Sequence, residues 1–365
     1  MRRRDLLIGG GAVAAMGVGA TLVVSEHMGS ATAYGDAMAE MRAPLPEQAT
    51  TRDLIRYATL APNGHNTQPW LFRTSENRID ILPDFARRTP VVDPDDHHLF
   101  ISLGCAAENL ALASAARGRP GILTFDPRAS GSIAFDFAAG PSQASALFDA
   151  IPTRQSTRAD YDGRPVSATV LRALAASAAV PGVDLVLITG RPQLDRVRDL
   201  IVSGNDTQMA DPAFMRELKS WLRFNPRQAA ETSDGLYSAA SGSPTLPSWL
   251  GPRVLDLFLT AQSESEKYAR QLQSSSGVAV FVGAKEDREN WVLVGRACQR
   301  FALQATALGL KHAFMNQPVE VEALRPELAG LISLPGRRPD IVMRFGYGTN
   351  LPFSARRPAR ISTGV

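Results

Sequence analysis

Two distant stretches of this chain carry one pattern. Leu103-Gly104-Cys105-Ala106-Ala107-Glu108-Asn109-Leu110-Ala111-Leu112 aligns with Val294-Gly295-Arg296-Ala297-Cys298-Gln299-Arg300-Phe301-Ala302-Leu303. Both read as helices with small residues on one face, which lets helix backbones approach closely. The flanking elements come in the same order each time: helix, Pro-containing loop, strand, small-residue helix, strand. In the first half the periodicity predicts a helix over Thr51 to Ala61, capped by Thr50 or Thr51. The loop Pro62 to Pro69 follows, then a strand Trp70 to Arg73 with a hairpin partner Arg78 to Leu82. A long apolar helix runs from about His98 to Ala116, with strands near Ile122–Phe125 and Ile133–Phe137. The second half offers a helix Val170 to Ala179, a strand Val183 to Thr189, and Arg344-Phe345-Gly346-Tyr347-Gly348 as the counterpart of Phe135-Asp136-Phe137. This order predicts an internal duplication with halves near 44–148 and 150–352. Two copies in one chain can build one site at their seam, as a homodimer would. Because that interface is internal, a monomer is expected.

The halves are unequal. The second carries an insertion near 203–252, whose central part, Asn225 to Gly251, is rich in Ser, Gly and Pro. That composition suits a lid or mobile loop rather than core. Hydrophobic residues are 44% and charged residues 21%, which excludes wholesale disorder. Lys plus Arg is 39 against 36 for Asp plus Glu, with no long basic block, so a nucleic-acid partner is excluded. Two cysteines exclude a disulfide scaffold, and five histidines without an HExxH pattern leave no metal expected.

Residues 1–33 read as an export segment outside the fold. Arg2, Arg3 and Arg4 precede an uncharged Leu6–Ser25 stretch, and Ala31-Thr32-Ala33 forms a small-x-small cleavage site before Tyr34. Arg3-Arg4-Asp5-Leu6-Leu7 resembles the twin-arginine motif, so the twin-arginine export machinery is the expected partner and the periplasm the expected location. The alternative is an uncleaved membrane anchor facing the periplasm.

Three clusters carry chemistry. The loop Pro62-Asn63-Gly64-His65-Asn66-Thr67-Gln68-Pro69-Trp70 crowds amides between two prolines; it either presents N–H groups to a planar heterocycle or simply joins helix to strand. Arg154-Gln155-Ser156-Thr157-Arg158 puts two arginines at i and i+4 around a hydroxyl. It is either a phosphate clamp or a solvated face paired with Asp160 and Asp162. Arg356-Arg357-Pro358, in the tail 353–365, offers further phosphate donors or a solvated end.

Together these clusters resemble the nitroreductase family of flavin enzymes, over roughly residues 45–358. The first loop looks like the family's P-S-S/G-x-N-x-Q-P-W loop, and the second cluster, with Tyr161 and Arg164-Pro165-Val166, like its R-x-S-x-R/K-x-F segment. Asn316-Gln317-Pro318-Val319-Glu320, Arg344-Phe345-Gly346-Tyr347-Gly348 and Arg356-Arg357-Pro358 resemble the single-chain branch known as Acg-like FMN-binding oxidoreductases. The resemblance implies an α+β nitroreductase-like fold: a mostly antiparallel sheet with helices, duplicated into an intrachain pseudo-dimer with one FMN site. It implies that Arg154, Ser156, Arg158 and one or both of Arg356 and Arg357 hold the FMN phosphate. Pro62, Asn63, Gly64 and Asn66 would line the ring, with Asn316 and Gln317 near its N5 edge. No catalytic side chain is implied. Asn63 and Gly64 stand where the family has hydroxyl residues, and Asn316 where its dimeric members have an acid.

The implied function is FMN-dependent reduction of a small acceptor, nitroaromatic or quinone, by hydride transfer through flavin N5. The donor is NAD(P)H or another reductant, since NAD(P)H is largely cytoplasmic. The alternatives are an exported protein that binds or sequesters flavin, or carries none, with little turnover, and an envelope interaction module. His97 and His98 are metal ligands or a helix start, and Cys105 and Cys298, in helices of small residues, read as buried inert thiols. Trp221, Phe224, Tyr237 and Trp249 either line a pocket or hold the lid down.

Overall fold

A computed structural model describes residues 28–364, leaving aside the side chains of 255–258. In chain order it contains α1 (Ala31–Met41), α2 (Thr51–Thr59), β1 (Trp70–Ser75), β2 (Arg78–Pro83), α3 (His97–Ala116), β3 (Gly121–Asp126), β4 (Ser132–Phe137) and α4 (Ala146–Ala150). There follow α5 (Ala168–Ser177), β5 (Val183–Ile188), α6 (Arg191–Ala210), α7 (Pro212–Ser220), β6 (Leu222–Arg223), α8 (Pro226–Thr232), β7 (Leu236–Tyr237), α9 (Gly251–Phe258) and α10 (Ala261–Gln273). The chain ends with β8 (Gly277–Gly283), α11 (Arg288–Ala307), β9 (Lys311–Phe314), α12 (Gln317–Glu320), α13 (Arg325–Leu331), β10 (Ile341–Gly346) and β11 (Ile361–Thr363).

The fold is α+β with two principal sheets. One runs β11-β1-β2-β4-β3 and the other β5-β8-β10-β9. Leaving β11 aside, each sheet orders its four strands 1-2-4-3 in chain sequence. All these pairings are antiparallel. In each, the long helix (α3 or α11) lies between the second and third strands. Alternation sets the faces. On β2, Ile79 and Ile81 turn inward, while Asp80 pairs with Arg73 and Arg78 on the outer side. On β8 every residue is buried: Ala279 and Phe281 join the main core, and Val278, Val280 and Val282 a second core under α6 and α13.

The aligned helices α3 and α11 pack on each other. A Cβ on Gly104 would lie 2.1 Å from the Val292 carbonyl oxygen, and one on Gly295 2.1 Å from that of Ile101. Only glycine allows that contact. Polar ties flank it: Glu108, its side chain 3% exposed, pairs with Arg296 and Arg300, and Gln299 Nε2 donates to Asn109 Oδ1 at 2.6 Å. These surviving ion pairs are buried on one partner and half-buried on the other, where unpaired charge would be costly.

Three expectations change. Residues 31–33 belong to the described structure: Ser30 caps α1, and Tyr34 and Met38 of that helix pack with Tyr237 and Ala240. The rest of the export reading, residues 1–27, lies outside the described residues. The Ser/Gly/Pro-rich stretch is not a bare loop; it holds α8, a two-strand pair and a small core, because Asn225 caps α8 and the apolar Tyr237 and Ala240 find a partner in α1. The C-terminal tail is not solvated either. β11 pairs in parallel with β1, and Arg356 is 5% exposed.

Candidate functional site

Thr50 caps α2 through a reciprocal box with Asp53, as its sequence suggests. The other end of α2 leaves the carbonyls of Thr59, Leu60 and Ala61 inside the protein. Buried carbonyls need donors, and two arginines from distant segments supply them. Arg154 Nη2 donates to Leu60 O at 2.9 Å. Arg356 Nε donates to Thr59 O at 2.7 Å and its Nη2 to Ala61 O at 3.1 Å, while Nη1 donates to Asn66 Oδ1 at 2.8 Å. Arg42, just past α1, completes the group; it donates to Pro152 O at 2.9 Å and stacks on Phe353.

Arg42, Arg154 and Arg356 are 6%, 2% and 5% exposed, and no carboxylate pairs with any of them among the described residues. Burial pushes all three below the usual guanidinium range, with repulsion from the neighbouring arginines adding at Arg42 and Arg356; Arg154 falls to about 10 and Arg356 to about 9. Arg154 Nε and Nη1 and Arg42 Nε are buried without any acceptor. Unpartnered guanidinium donors of this kind are suited to a small anion.

The loop after α2 takes an uncommon path. His65, Asn66 and Gln68 all have positive φ, 46°, 55° and 56°. Asn63 Oδ1 accepts from Gln68 N at 2.7 Å, and Asn66 Nδ2 donates to Gly235 O and Ala355 O, both at 3.1 Å. This loop forms one wall of a cavity of about 610 Å³. That size is within the roughly 300–1,000 Å³ of small-molecule and cofactor sites.

The structure brings Pro62, Asn63, Gly64, Arg158, Asn316 and Gln317 together on the cavity wall. Arg154 and Arg356 lie behind that wall at the end of α2. Asn66 ties the loop to the insertion and the tail. Ser156 forms an isolated bridge with His312, and Arg357 Nη2 donates to Gln68 O at 3.0 Å. The Arg154–Arg158 segment is not helical, so the two arginines enter different surroundings. Among the described residues no acceptor pairs with the Arg158 guanidinium, which burial holds below its ordinary range. Asn316 Oδ1 accepts from Val342 N at 3.0 Å, while Gln317 Oε1 is buried without a donor.

The cavity also contains groups that composition did not single out. Asp93 caps α3 by accepting from His98 N and Leu99 N, both at 2.9 Å. Burial raises its carboxyl to about 6 and lowers His98 to about 4. Glu320 accepts from Gln208 Nε2 at 2.7 Å, and burial raises its carboxyl too. Asp93, His97 and His98 stand within 4.8 Å of one another, but His97 Nε2 is engaged with Asp340 at 2.7 Å and both Asp93 oxygens cap the helix. Arg42 and Gln208 carried no local sequence signal, since each becomes notable only through long-range packing.

The insertion forms the opposite wall. Phe214, Leu218 and Phe224 face the cavity; Tyr237 joins the small core against Tyr34, Trp221 lies beneath Arg87, and Trp249 is exposed. Asp234 of the insertion is paired with both Arg87 and Arg223, and Gln68 Nε2 donates to Ser233 O at 2.8 Å. Glu217 accepts from Val91 N and Val92 N, each at 3.0 Å. The insertion is thus fastened to the first half at two places.

No family model matches the chain. The Mycobacterium tuberculosis protein named "Putative NAD(P)H nitroreductase Rv3131" is 27% identical over 330 residues, covering 87% of this chain and 91% of that protein. A second protein of that organism, named "Putative NAD(P)H nitroreductase acg", is 24% identical over 344 residues, covering 86% of this chain and 96% of its own length. Among solved structures, the FMN-dependent nitroreductase NfnB from Mycobacterium smegmatis in complex with NADPH aligns with 12% identity and a TM-score of 0.37, over 56% of this chain and 87% of that one. Over most of its length, this chain is similar to proteins named as NAD(P)H nitroreductases.

Proposed function

We propose that this chain is an FMN-dependent oxidoreductase of nitroreductase type that reduces a small acceptor of nitroaromatic or quinone class. The observation that carries the reading is the arginine cluster Arg42–Arg154–Arg356, buried without a carboxylate partner, beside a cavity that holds a further unpaired guanidinium, Arg158. These residues fit the phosphate end of FMN: a dianion meets Arg154 Nε and Nη1 and Arg42 Nε, buried donors that have no other acceptor. The Gln317 amide oxygen, buried without a donor, fits an N–H of the ring. When bound, FMN supplies two-electron transfer. The chain's part is to hold the phosphate, flank the ring with the Asn63, Gly64, Asn316 and Gln317 groups, and exclude water with the insertion.

The names of the similar proteins support a nicotinamide donor and a small-molecule acceptor. The shared 1-2-4-3 strand order supports reading the halves as copies that build one site in a monomer. Export by the twin-arginine route to the periplasm rests on Arg3-Arg4-Asp5-Leu6-Leu7 alone.

A second reading is favoured by the fastened insertion: a protein that holds flavin with little turnover. Turnover separates the two. An enzyme recovers its colour repeatedly after reduction when acceptor is added, whereas a holding protein exchanges electrons once or not at all. The cofactor assignment is tested by titrating FMN into the double variant Arg154→Ala, Arg158→Ala and following flavin fluorescence. Losing two charge-assisted contacts is expected to weaken binding by about a hundredfold or more. Unchanged binding would refute the phosphate assignment.

A further inference from the structure

The α3–α11 crossing brings together the chain's two cysteines. Cys105 and Cys298 are 1% and 0% exposed, and burial together with the neighbouring Cys105 thiol pushes Cys298 well above the usual thiol range. Cys105 Sγ also donates to Gly295 O at 3.1 Å. The meeting depends on the glycine contact, since a Cβ on Gly295 would lie 3.0 Å from the Cys105 backbone nitrogen. Each cysteine comes from a different half, so a bond between them would join the halves across the helix crossing.

Two further features distinguish this pair from inert core thiols. Cys105 lines the 610 Å³ cavity, whereas Cys298 does not, so a small molecule there meets Cys105 first. Arg154, with two buried donors free, is the charged group acting on the pair, and both sulfurs are among the groups that would stabilise its charge. A neighbouring guanidinium favours the thiolate, the form that attacks an electrophile or gives up electrons. Burial opposes this at Cys298.

We propose that Cys105 and Cys298 form a reversible dithiol–disulfide couple, oxidised through the cavity wall by a small two-electron oxidant of quinonoid class. Each S–H bond breaks and one S–S bond forms. The two sulfurs together release two electrons and two protons, and the quinone accepts both to become a hydroquinone. The two sulfurs must close to a bond length of about 2 Å. The pair itself rests on its contact and on its place at the cavity. Only the class of oxidant rests on the proposed function.

The test uses the folded full chain, reduced and freed of reductant, and counts thiols after denaturation. Duroquinone is the cavity probe, because its ring is fully substituted and cannot be arylated onto sulfur. Diamide is the general thiol oxidant. The expected result is that duroquinone removes both thiols, that digestion yields a peptide pair linked through Cys105 and Cys298, and that dithiothreitol restores both thiols. Cys298→Ala should keep its one thiol through the same treatment. Two free thiols after both oxidants would overturn the couple, leaving a structural hydrogen bond. A link formed by diamide but never by duroquinone would overturn the route through the cavity. FMN uptake, read separately from the flavin absorbance, reports on the proposed function and leaves the thiol count unaffected.

Discussion

Gly104 and Gly295 face the opposite helix at the same crossing, and each lies where a single methyl would strike the partner's backbone carbonyl. A side-chain neighbour could rotate away; a helix carbonyl cannot. Gly104→Ala or Gly295→Ala therefore forces α3 and α11 apart. Each should cost about 3 kcal/mol or more, at the upper end of overpacking effects. Guanidinium unfolding checks this. Gly309→Ala, at an open turn with φ +75°, offers a comparison where only backbone strain acts.

The insertion's attachment gives an ordering. Asp234 serves two arginines, Arg87 and Arg223, whereas removal of Arg87 leaves Asp234 paired with Arg223. Asp234→Ala strands two cations and should destabilise by about 2–4 kcal/mol, more than Arg87→Ala. Limited proteolysis between 225 and 251 should accelerate in the same order. Equal rates in both variants would contradict the two-arginine account.

Acid sensitivity follows from His98. Its folded value is about 4 against an ordinary 6.5, because burial disfavours the imidazolium. The unfolded chain takes up that proton first as pH falls, so this stability is whole above about 6.5 and is lost between about 6.5 and 4, on the order of 3 kcal/mol. Asp93 and Asp340, raised to about 6, act in the opposite direction over the same range. The informative quantity is thus the difference between wild type and His98→Gln. The variant's curve should be flatter on the acid side by that amount.

Much of the fold was legible because its signals are local. Thr50 sits before an amphipathic run, and Trp70, Arg78, Ile133 and Val183 open or enter apolar stretches bounded by turns; the helices and strands lie there within a few residues. The aligned small-residue helices marked the closest backbone approach at any glycine among the described residues. What escaped was long-range. Spacing alone made Arg154 and Arg158 one clamp, but the segment is not helical, and the buried end of α2 captures Arg154. The same carbonyls bury Arg356, which a charged C-terminal run would otherwise leave in water. Ser, Gly and Pro in the insertion served as caps and turns between short helices, so composition suggested a loop where a small core exists.

The loop over Pro62–Pro69 is an intermediate case. Its amides were evident, yet their division of labour was not: Asn63 stays at the cavity, whereas Asn66 is consumed by Gly235, Ala355 and Arg356. Asn66→Ala should therefore behave as a structural change, lowering stability by about 1–3 kcal/mol through the orphaned carbonyls. Asn63→Ala should alter ligand binding more. Thermal unfolding of both variants, with and without added FMN, separates the two effects.

The central claim is that the cavity and its arginines hold FMN for repeated electron transfer. Its most direct test is the visible absorption spectrum of the folded protein before and after chemical reduction, followed by addition of a quinone or nitroaromatic acceptor. The account predicts flavin bands, FMN released on denaturation, bleaching by the reductant, and recovery over many cycles. A colourless protein that takes up no added FMN would contradict it.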